Sequence, residues 1–149
     1  MSELQIRPVS AADNAAWLPL WQGYQRFYNA EIASEVSTLT WQRFLDPTEP
    51  MFAALAWQDG VAVGLAHWIL HRSCWTVSDY CYLQDLYVAE TVRGSGVGRA
   101  LIEQVYAAAQ AHGANRVHWL TQEDNTQARQ LYERIASRSG FIQYRQLFN

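Results

Sequence analysis

The segment that decides the fold reads Arg93-Gly94-Ser95-Gly96-Val97-Gly98, and it joins a β-rich run over residues 80–88 to a helical pattern. Apolar residues after the segment recur at helical spacing up to Gly113. A glycine-rich turn between a strand and a helix lets main-chain N–H groups converge, because no Cβ stands in the way. Together with the positive end of the helix, such amides form a site for phosphate oxygens. The alternative is a glycine-rich connector that holds no ligand.

Two common nucleotide-binding motifs fail at this segment. A P-loop has Lys-Ser or Lys-Thr after its last glycine, whereas Arg99-Ala100 follows Gly98 here. A dinucleotide fingerprint spaces its glycines G-x-G-x-x-G and has an acidic residue at the end of the next strand. This segment has the spacing G-x-G-x-G, and the next strand-like run ends at Leu120-Thr121. Two interpretations of the segment therefore remain: a phosphate site of another kind, or a glycine-rich connector that holds no ligand.

Strands are predicted on both sides of the segment from runs of β-forming residues. They cover residues 4–8, 51–57, 61–71, 80–88, 116–121 and 141–148. The dipeptide Asp59-Gly60 between the second and third runs is a strong hairpin signal.

Four helices are predicted from apolar spacing and capping residues. The first follows Ser10-Ala-Ala-Asp13, the second opens at Thr38 or Thr40, the third leaves the glycine turn, and the fourth is capped by Asp124 or Asn125. The resulting order is β-α-α-β-β-β-α-β-α-β. It predicts an α/β fold in one domain over residues 1–149, with a mixed sheet of six to seven strands flanked by four helices.

Composition excludes several classes of function. The net charge is −3, so a polyanion-binding surface is not indicated and we expect no nucleic-acid partner. No apolar run approaches the roughly 20 residues of a membrane helix, and the first ten residues lack the apolar core of a signal peptide. We therefore expect a soluble, cytoplasmic protein in which Cys74 and Cys81 are reduced. His67 and His71 lack a third ligand at suitable spacing, so no metal site is predicted.

A second motif lies downstream of the glycine turn. The pattern Arg93-x-x-Gly96-x-Gly98 follows Leu86-Tyr87-Val88, and Asn125-x-x-Ala128-x-x-x-Tyr132 comes later. In this combination and element order, nearly the whole chain resembles the GNAT superfamily of acetyltransferases. Residues 81–88 and the ending Ile142-Gln-Tyr-Arg145 are most similar to the yeast branch that acetylates histones, polyamines or D-amino acids. The resemblance implies the GNAT fold and acetyl-CoA as the acyl donor.

The resemblance also implies which residues hold the coenzyme. The amides from Ser95 through Arg99 would bind the pyrophosphate, and the main chain of Leu86 and Val88 would serve the pantetheine arm and the thioester carbonyl. The implied set is Leu86, Tyr87, Val88, Arg93, Gly94, Ser95, Gly96, Val97, Gly98, Arg99, Asn125 and Tyr132. The alternative for the strand is a core strand without a ligand.

Acetyl transfer to an amine needs two proton movements. The resemblance makes Tyr132 the acid for the leaving thiolate, since a phenol with a pKa near 10 can donate a proton and is neutral at pH 7. For the attacking amine, Asp85 is the candidate base. Related polyamine acetyltransferases tend to carry Glu-Asp where this sequence has Gln84-Asp85, so Asp85 is alternatively a binding site for a cationic substrate or a loop cap. Tyr80 and Tyr82 are reserve bases.

The resemblance implies that the first helices border the acceptor cleft, and aromatic faces suit ammonium groups. Its candidate residues are Trp21, Tyr24, Tyr28, His71, Trp75, Tyr82 and Gln84. The aromatic stripe among them has core packing as its alternative. We expect an N-acetyltransferase that acts on a primary amine of a small molecule. The alternatives are acetylation of a protein lysine or N-terminus, and a non-catalytic acyl-CoA sensor or scaffold. An unpaired final strand over residues 141–148 predicts a homodimer.

Overall fold

The computed structural model of the chain describes residues 3–148. The chain divides into two compact units, one up to Trp119 and the other from Leu120 onward. The first unit holds the sheet and three helices, and the second holds one helix and an extended tail. The assignment of residues 1–149 to a single domain stays a prediction.

The sheet has five strands in the order β1-β2-β3-β4-β5. They are β1 (Leu4–Pro8), β2 (Met51–Gln58), β3 (Val61–His71), β4 (Tyr80–Val88) and β5 (Arg116–His118). The first four are antiparallel neighbours, and β5 is parallel to β4. The mixed sheet is confirmed. The prediction of six to seven strands is wrong, because residues 3–148 contain five.

The tail explains the missing strand. Residues 141–148 carry aromatic and aliphatic side chains but form no strand, and their large apolar residues are exposed. A high β-propensity does not make a strand by itself, because strands are stabilised by side-chain packing against a partner. The run predicted over residues 116–121 also shortens, since β5 pairs with β4 only up to His118.

The hairpin between β2 and β3 is confirmed. Asp59 and Gly60 both have positive φ, at 54° and 75°. Two central residues with positive φ form the type I′ turn, whose twist matches that of the flanking strands. Gln58 then pairs with Val61 directly across the turn.

Residues 3–148 contain four α-helices, as predicted. They are α1 (Asn14–Phe27), α2 (Ser34–Leu45), α3 (Val97–His112) and α4 (Thr126–Ile135). The predicted start of α2 at Thr38 or Thr40 is wrong. The Thr38 hydroxyl donates to the Ser34 carbonyl at 3.0 Å, so this threonine bonds back within the helix instead of capping it. None of the helices in residues 3–148 is long and apolar enough to cross a membrane.

The core of the first unit lies on both faces of the central strands. Buried Trp17, Trp21 and Trp41 from α1 and α2 pack with Leu55 and Leu65 on one face. Helix α3 covers the other face, where buried Leu101, Ile102 and Val105 lie. Helix α1 also contacts β4, and this contact places its aromatic stripe beside the strand.

Candidate active site

The glycine turn ends in an uncapped helix. Gly94 and Gly96 have φ of 84° and 88°, in the left-handed region that glycine adopts without strain. Gly96 is the N-cap of α3, where no side chain of the described residues provides a capping hydrogen bond. The first turn of α3 carries no acidic residue. Its amides and the positive helix end are therefore available to an anion. A Cβ at either glycine would have open space around it, so the turn has room for a ligand.

The register of β4 directs main-chain groups away from β3. Ala89 N–H donates to the Val63 carbonyl at 2.8 Å beside the Gly64–Val88 pair, which makes that pair a non-hydrogen-bonded one. Val88, and Leu86 two residues earlier, therefore turn their N–H and C=O groups toward the other edge of β4. Strand β5 pairs along this edge only at Tyr80 to Tyr82. The main-chain N–H and C=O groups of Leu86 and Val88 therefore face the edge of β4 beyond the residues that pair with β5.

Arginine side chains brace the turn. The Nε atom of Arg93 donates to the Val88 carbonyl at 3.0 Å, and its guanidinium lies 5.2 Å from the Phe27 ring centroid and 5.6 Å from that of Tyr87. Arg99 donates from Nε to Glu103 at 2.9 Å. The side chain of Arg99 is therefore engaged along the helix, and its main-chain amide is the group that faces the turn.

A β-bulge sets the position of Asp85. His67 pairs with Asp85 and Trp68 with Leu83, so Gln84 is the extra residue of β4. Directly opposite residues share a face of the sheet. Because His67 contacts α1, Asp85 lies on the α1 face as well. Gln84 is exposed.

Three phenols surround the Asp85 carboxylate. Burial, followed by the charge of Asp85 and a hydrogen bond to it, raises the pKa of Tyr24 far above its usual value. Burial and the same charge also raise the pKa of Tyr28 and of Tyr82. The phenols stay neutral at pH 7 and lie around one negative charge. Aromatic rings beside a carboxylate form a suitable environment for an ammonium group.

Only some of the candidate acceptor residues lie near Asp85. Tyr24, Tyr28 and Tyr82 lie near Asp85, where burial and then the Asp85 charge raise the pKa of each phenol, and the Tyr24 and Tyr28 ring centroids are 5.0 Å apart. Trp21 does not, since it is 6% exposed in the core and donates from Nε1 to the Ser37 hydroxyl. Its assignment to the substrate site is corrected, because the stripe on α1 turns inward at this position.

The remaining candidates of the first unit lie at the far end of β4. His71 contacts the rings of Tyr80 and His118, and Trp75 is 88% exposed on the following loop. Burial lowers the pKa of His118, as do the nearby His71 and Arg116. The described residues contain no group of three or more His, Cys, Asp or Glu side chains that could hold a metal ion.

Asn125 and Tyr132 belong to the second unit. Asn125 is the N-cap of α4 and donates from Nδ2 to the Thr121 hydroxyl at 3.4 Å. Tyr132 lies seven residues later, about two helical turns, so the two residues share one face of the helix. This face is half-buried and includes Ala128 and Leu131, as the spacing predicts.

One residue of the site was missed by the sequence reasoning. His67 was considered only as a metal ligand, yet its Nδ1 lies 2.9 Å from Asp85 Oδ2 and its Nε2 lies 2.9 Å from Trp17 Nε1. The sequence signal that could have identified His67 is a histidine inside the otherwise apolar run of β3. Its partner was not readable, because the register between β3 and β4 depends on the bulge.

Comparison with known proteins shows the family of the chain. The family model described as Acetyltransferase (GNAT) family matches residues 17–136. The chain is 39% identical over 142 residues to the D-amino-acid N-acetyltransferase HPA3 of Saccharomyces cerevisiae, covering 94% of this chain and 88% of that protein.

Solved structures share the fold. A probable acetyltransferase superposes with a TM-score of 0.86 at 24% identity, covering 97% of this chain and 98% of the other. An aminoglycoside N-acetyltransferase in complex with CoA superposes with a TM-score of 0.77 at 18% identity, covering 100% and 94%. The family match spans most of the sequence and the yeast relative is an acetyltransferase of similar length. This chain therefore belongs to the GNAT family of N-acetyltransferases.

Proposed function

We propose that this enzyme transfers an acetyl group from acetyl-CoA directly to a primary amine of a small molecule, such as a polyamine or an amino acid. The observation that carries the proposal is the placement of two sites along β4. The open amides of the glycine turn follow its end, and the Asp85 carboxylate lies three residues before that end. One site suits a diphosphate and the other suits an ammonium group.

The residues of the first unit fit the coenzyme. The amides after Gly96 suit the pyrophosphate, because the helix end is uncapped and no acidic residue competes in its first turn. The outward main-chain groups of Leu86 and Val88 suit the pantetheine and the thioester carbonyl. Acetyl-CoA supplies an activated acetyl thioester when bound. Donors fixed beside that carbonyl would stabilise the charge that develops on its oxygen.

The acceptor amine must lose a proton before it attacks. An amine with a pKa of about 10.4 is only about one part in a thousand neutral near pH 7.4, which costs roughly 4 kcal/mol. Asp85 can bind the ammonium form and accept its proton directly or through water. Tyr132 is proposed as the acid that protonates the leaving thiolate.

A small acceptor is favoured over a protein. The yeast relative is named for D-amino acids, and the carboxylate of Asp85 is only partly accessible, with a side-chain exposure of 13%. A protein lysine or N-terminus remains the second candidate. A non-catalytic acyl-CoA sensor is the third candidate, and the charged site at Asp85 favours an enzyme over it.

An acceptor screen tests the proposal. Acetyl-CoA is incubated with the enzyme and polyamines, D- and L-amino acids or histone peptides, and thiol release is recorded. We expect release with a small amine. The enzyme itself contains no lysine. Labelled acetyl-lysine in the reaction would therefore come from the added peptide and not from the enzyme. Release with peptides alone would favour the protein acceptor, and coenzyme binding without release would favour the sensor.

We also propose that the enzyme is a cytoplasmic homodimer. Both cysteines are free, and a free, exposed thiol such as that of Cys74 suits a reducing compartment. The extended tail after α4 exposes Phe141, Ile142 and Tyr144. Exposed apolar residues without a strand partner are suited to pairing with a second copy. The net charge of −3 gives no reason to add a nucleic acid to the partners.

The dimer is tested by removing the apolar side chains of the tail. Phe141→Ser combined with Ile142→Ser should convert the dimer to a monomer in sedimentation analysis, because the exposed side chains would no longer gain from burial. Val77→Ser is the matched control, since Val77 is fully exposed in the first unit. A monomeric parent enzyme, or a double variant that stays dimeric, would contradict the assignment.

A further inference from the structure

We propose that His67, held by Trp17, is a positioning residue that fixes the Asp85 carboxylate for binding of the acceptor ammonium. The inference rests on the proposed function and deepens it, because it explains how a single carboxylate on a strand keeps one orientation. It concerns three residues from three elements, α1, β3 and β4. Their side chains form a chain of two hydrogen bonds, each 2.9 Å long.

The hydrogen bonds determine the tautomer of His67. An indole N–H can only donate, so Trp17 Nε1 donates to His67 Nε2. That nitrogen then carries a lone pair, and the neutral ring has its proton on Nδ1. Nδ1–H therefore donates to Asp85 Oδ2. The direction of both bonds is fixed, because Trp17 has no acceptor to offer in exchange.

The surroundings of His67 prevent it from turning away. Its ring is 3% exposed and packs 4.6 Å from the Phe44 centroid and 5.0 Å from that of Trp21. Trp17 is 1% exposed. Interior packing of this kind holds side chains in one rotamer. The Nδ1–H group is consequently a fixed donor at the base of the acceptor site.

A second donor holds the same carboxylate. Tyr24 forms a hydrogen bond to Asp85, and Tyr28 and Tyr82 lie close enough to feel its charge. Because the His67 imidazole and the phenols are neutral, the cluster of His67, Asp85 and the three tyrosines carries one net negative charge. His67 Nδ1–H restrains one oxygen of the carboxylate, and the three phenols lie near its negative charge. A cationic amine matches this site in charge and in its preference for aromatic faces.

Two substitutions of His67 separate its two hydrogen bonds. In His67→Asn the amide nitrogen lies near the former Nδ1, so donation to Asp85 is kept and the bond from Trp17 is lost. In His67→Gln the side-chain oxygen reaches the region of Nε2, so the bond from Trp17 is kept and donation to Asp85 is lost. A purely structural role would make both substitutions similar in effect.

We expect the two variants to differ in kinetics with the amine. His67→Gln should raise the KM for the amine by about 10- to 100-fold, the range of one lost charge-assisted contact. His67→Asn should stay within about threefold of the parent. The dissociation constant of coenzyme A should be unchanged in both, because the glycine turn does not involve His67.

A double-mutant cycle tests the path through Asp85. In an Asp85→Asn background, His67→Gln should cause no further loss in kcat/KM, because the carboxylate it positions is absent. Equal losses in both backgrounds, or equal effects of the asparagine and glutamine variants, would overturn the proposal. If His67→Gln does not fold, His67→Leu takes its place. Its side chain fills part of the same space but cannot donate to Asp85, and an amine KM equal to that of His67→Asn would overturn the proposal.

Failure of the proposed function has a different signature. A parent enzyme that releases no thiol with any amine would refute the transferase. Calorimetric titration with spermidine and with an amino acid in the presence of CoA would then still measure ammonium binding. Weaker binding of one of these amines by His67→Gln than by His67→Asn would support the positioning role, and identical binding would refute it.

Discussion

Replacing Gly96 with aspartate should weaken the binding of coenzyme A by about 100-fold or more. The new carboxylate would stand at the N-cap of α3, where it can accept the same first-turn amides that the pyrophosphate needs. It also adds a negative charge beside a negative ligand. Charge-assisted hydrogen bonds contribute about 1.5–3 kcal/mol each, so the loss of two accounts for the expected change. Titration calorimetry with CoA measures it.

Stability and affinity should respond differently to this substitution. Asp tolerates the left-handed backbone better than most residues, and no atom would collide with its Cβ. We expect the free energy of unfolding to fall by at most about 1–2 kcal/mol. Gly96→Asn is the control for charge, and Gly113→Asp is the control for backbone, since Gly113 has φ of 86° at the other end of α3. Full coenzyme affinity in Gly96→Asp would refute the pyrophosphate site.

Replacing Tyr132 with phenylalanine should lower kcat by about 10²–10⁴-fold, the usual contribution of a general acid. The aromatic ring on α4 is preserved, and only the phenol hydroxyl is lost. Affinity for coenzyme A should change little, because the phenol acts on the leaving group and not on the pyrophosphate. Steady-state rates with a saturating amine, together with a CoA titration, measure the two quantities.

The same loss of a hydroxyl elsewhere in the second unit provides the control. Tyr144 is 87% exposed, so Tyr144→Phe should leave kcat at the parent value. A more acidic thiol leaving group would also reduce the need for an acid, so an activated thioester should partly rescue Tyr132→Phe. Full activity of Tyr132→Phe with acetyl-CoA would remove this residue from the mechanism.

Local signals account for the parts of the fold that the sequence predicted. Positive φ at Asp59 and Gly60 follows from the few residues that tolerate it, and the left-handed cap at Gly113 follows for the same reason. The glycine turn before α3 was readable because glycine adopts the left-handed backbone of Gly94 and Gly96 without strain. Each of these features depends only on residues that are a few positions apart in the sequence.

Asp85 shows where local reasoning stops. Simple alternation places residues 83 and 85 on one face of a strand, and that face packs Leu83 into the core. The bulge at Gln84 reverses this arrangement and turns Asp85 toward α1 and its tyrosines. No spacing in the sequence indicates the bulge, since it arises from pairing with β3.

The amino-acid sequence by itself determined the glycine turn, the α/β class, the four helices and the family, because each follows from short-range backbone preferences or a motif. Only the tertiary structure decided that Trp21 is core, that β5 pairs with β4 only up to Tyr82, and that His67 joins Trp17 to Asp85. These outcomes depend on register and packing between segments up to 50 residues apart, which local preferences do not encode.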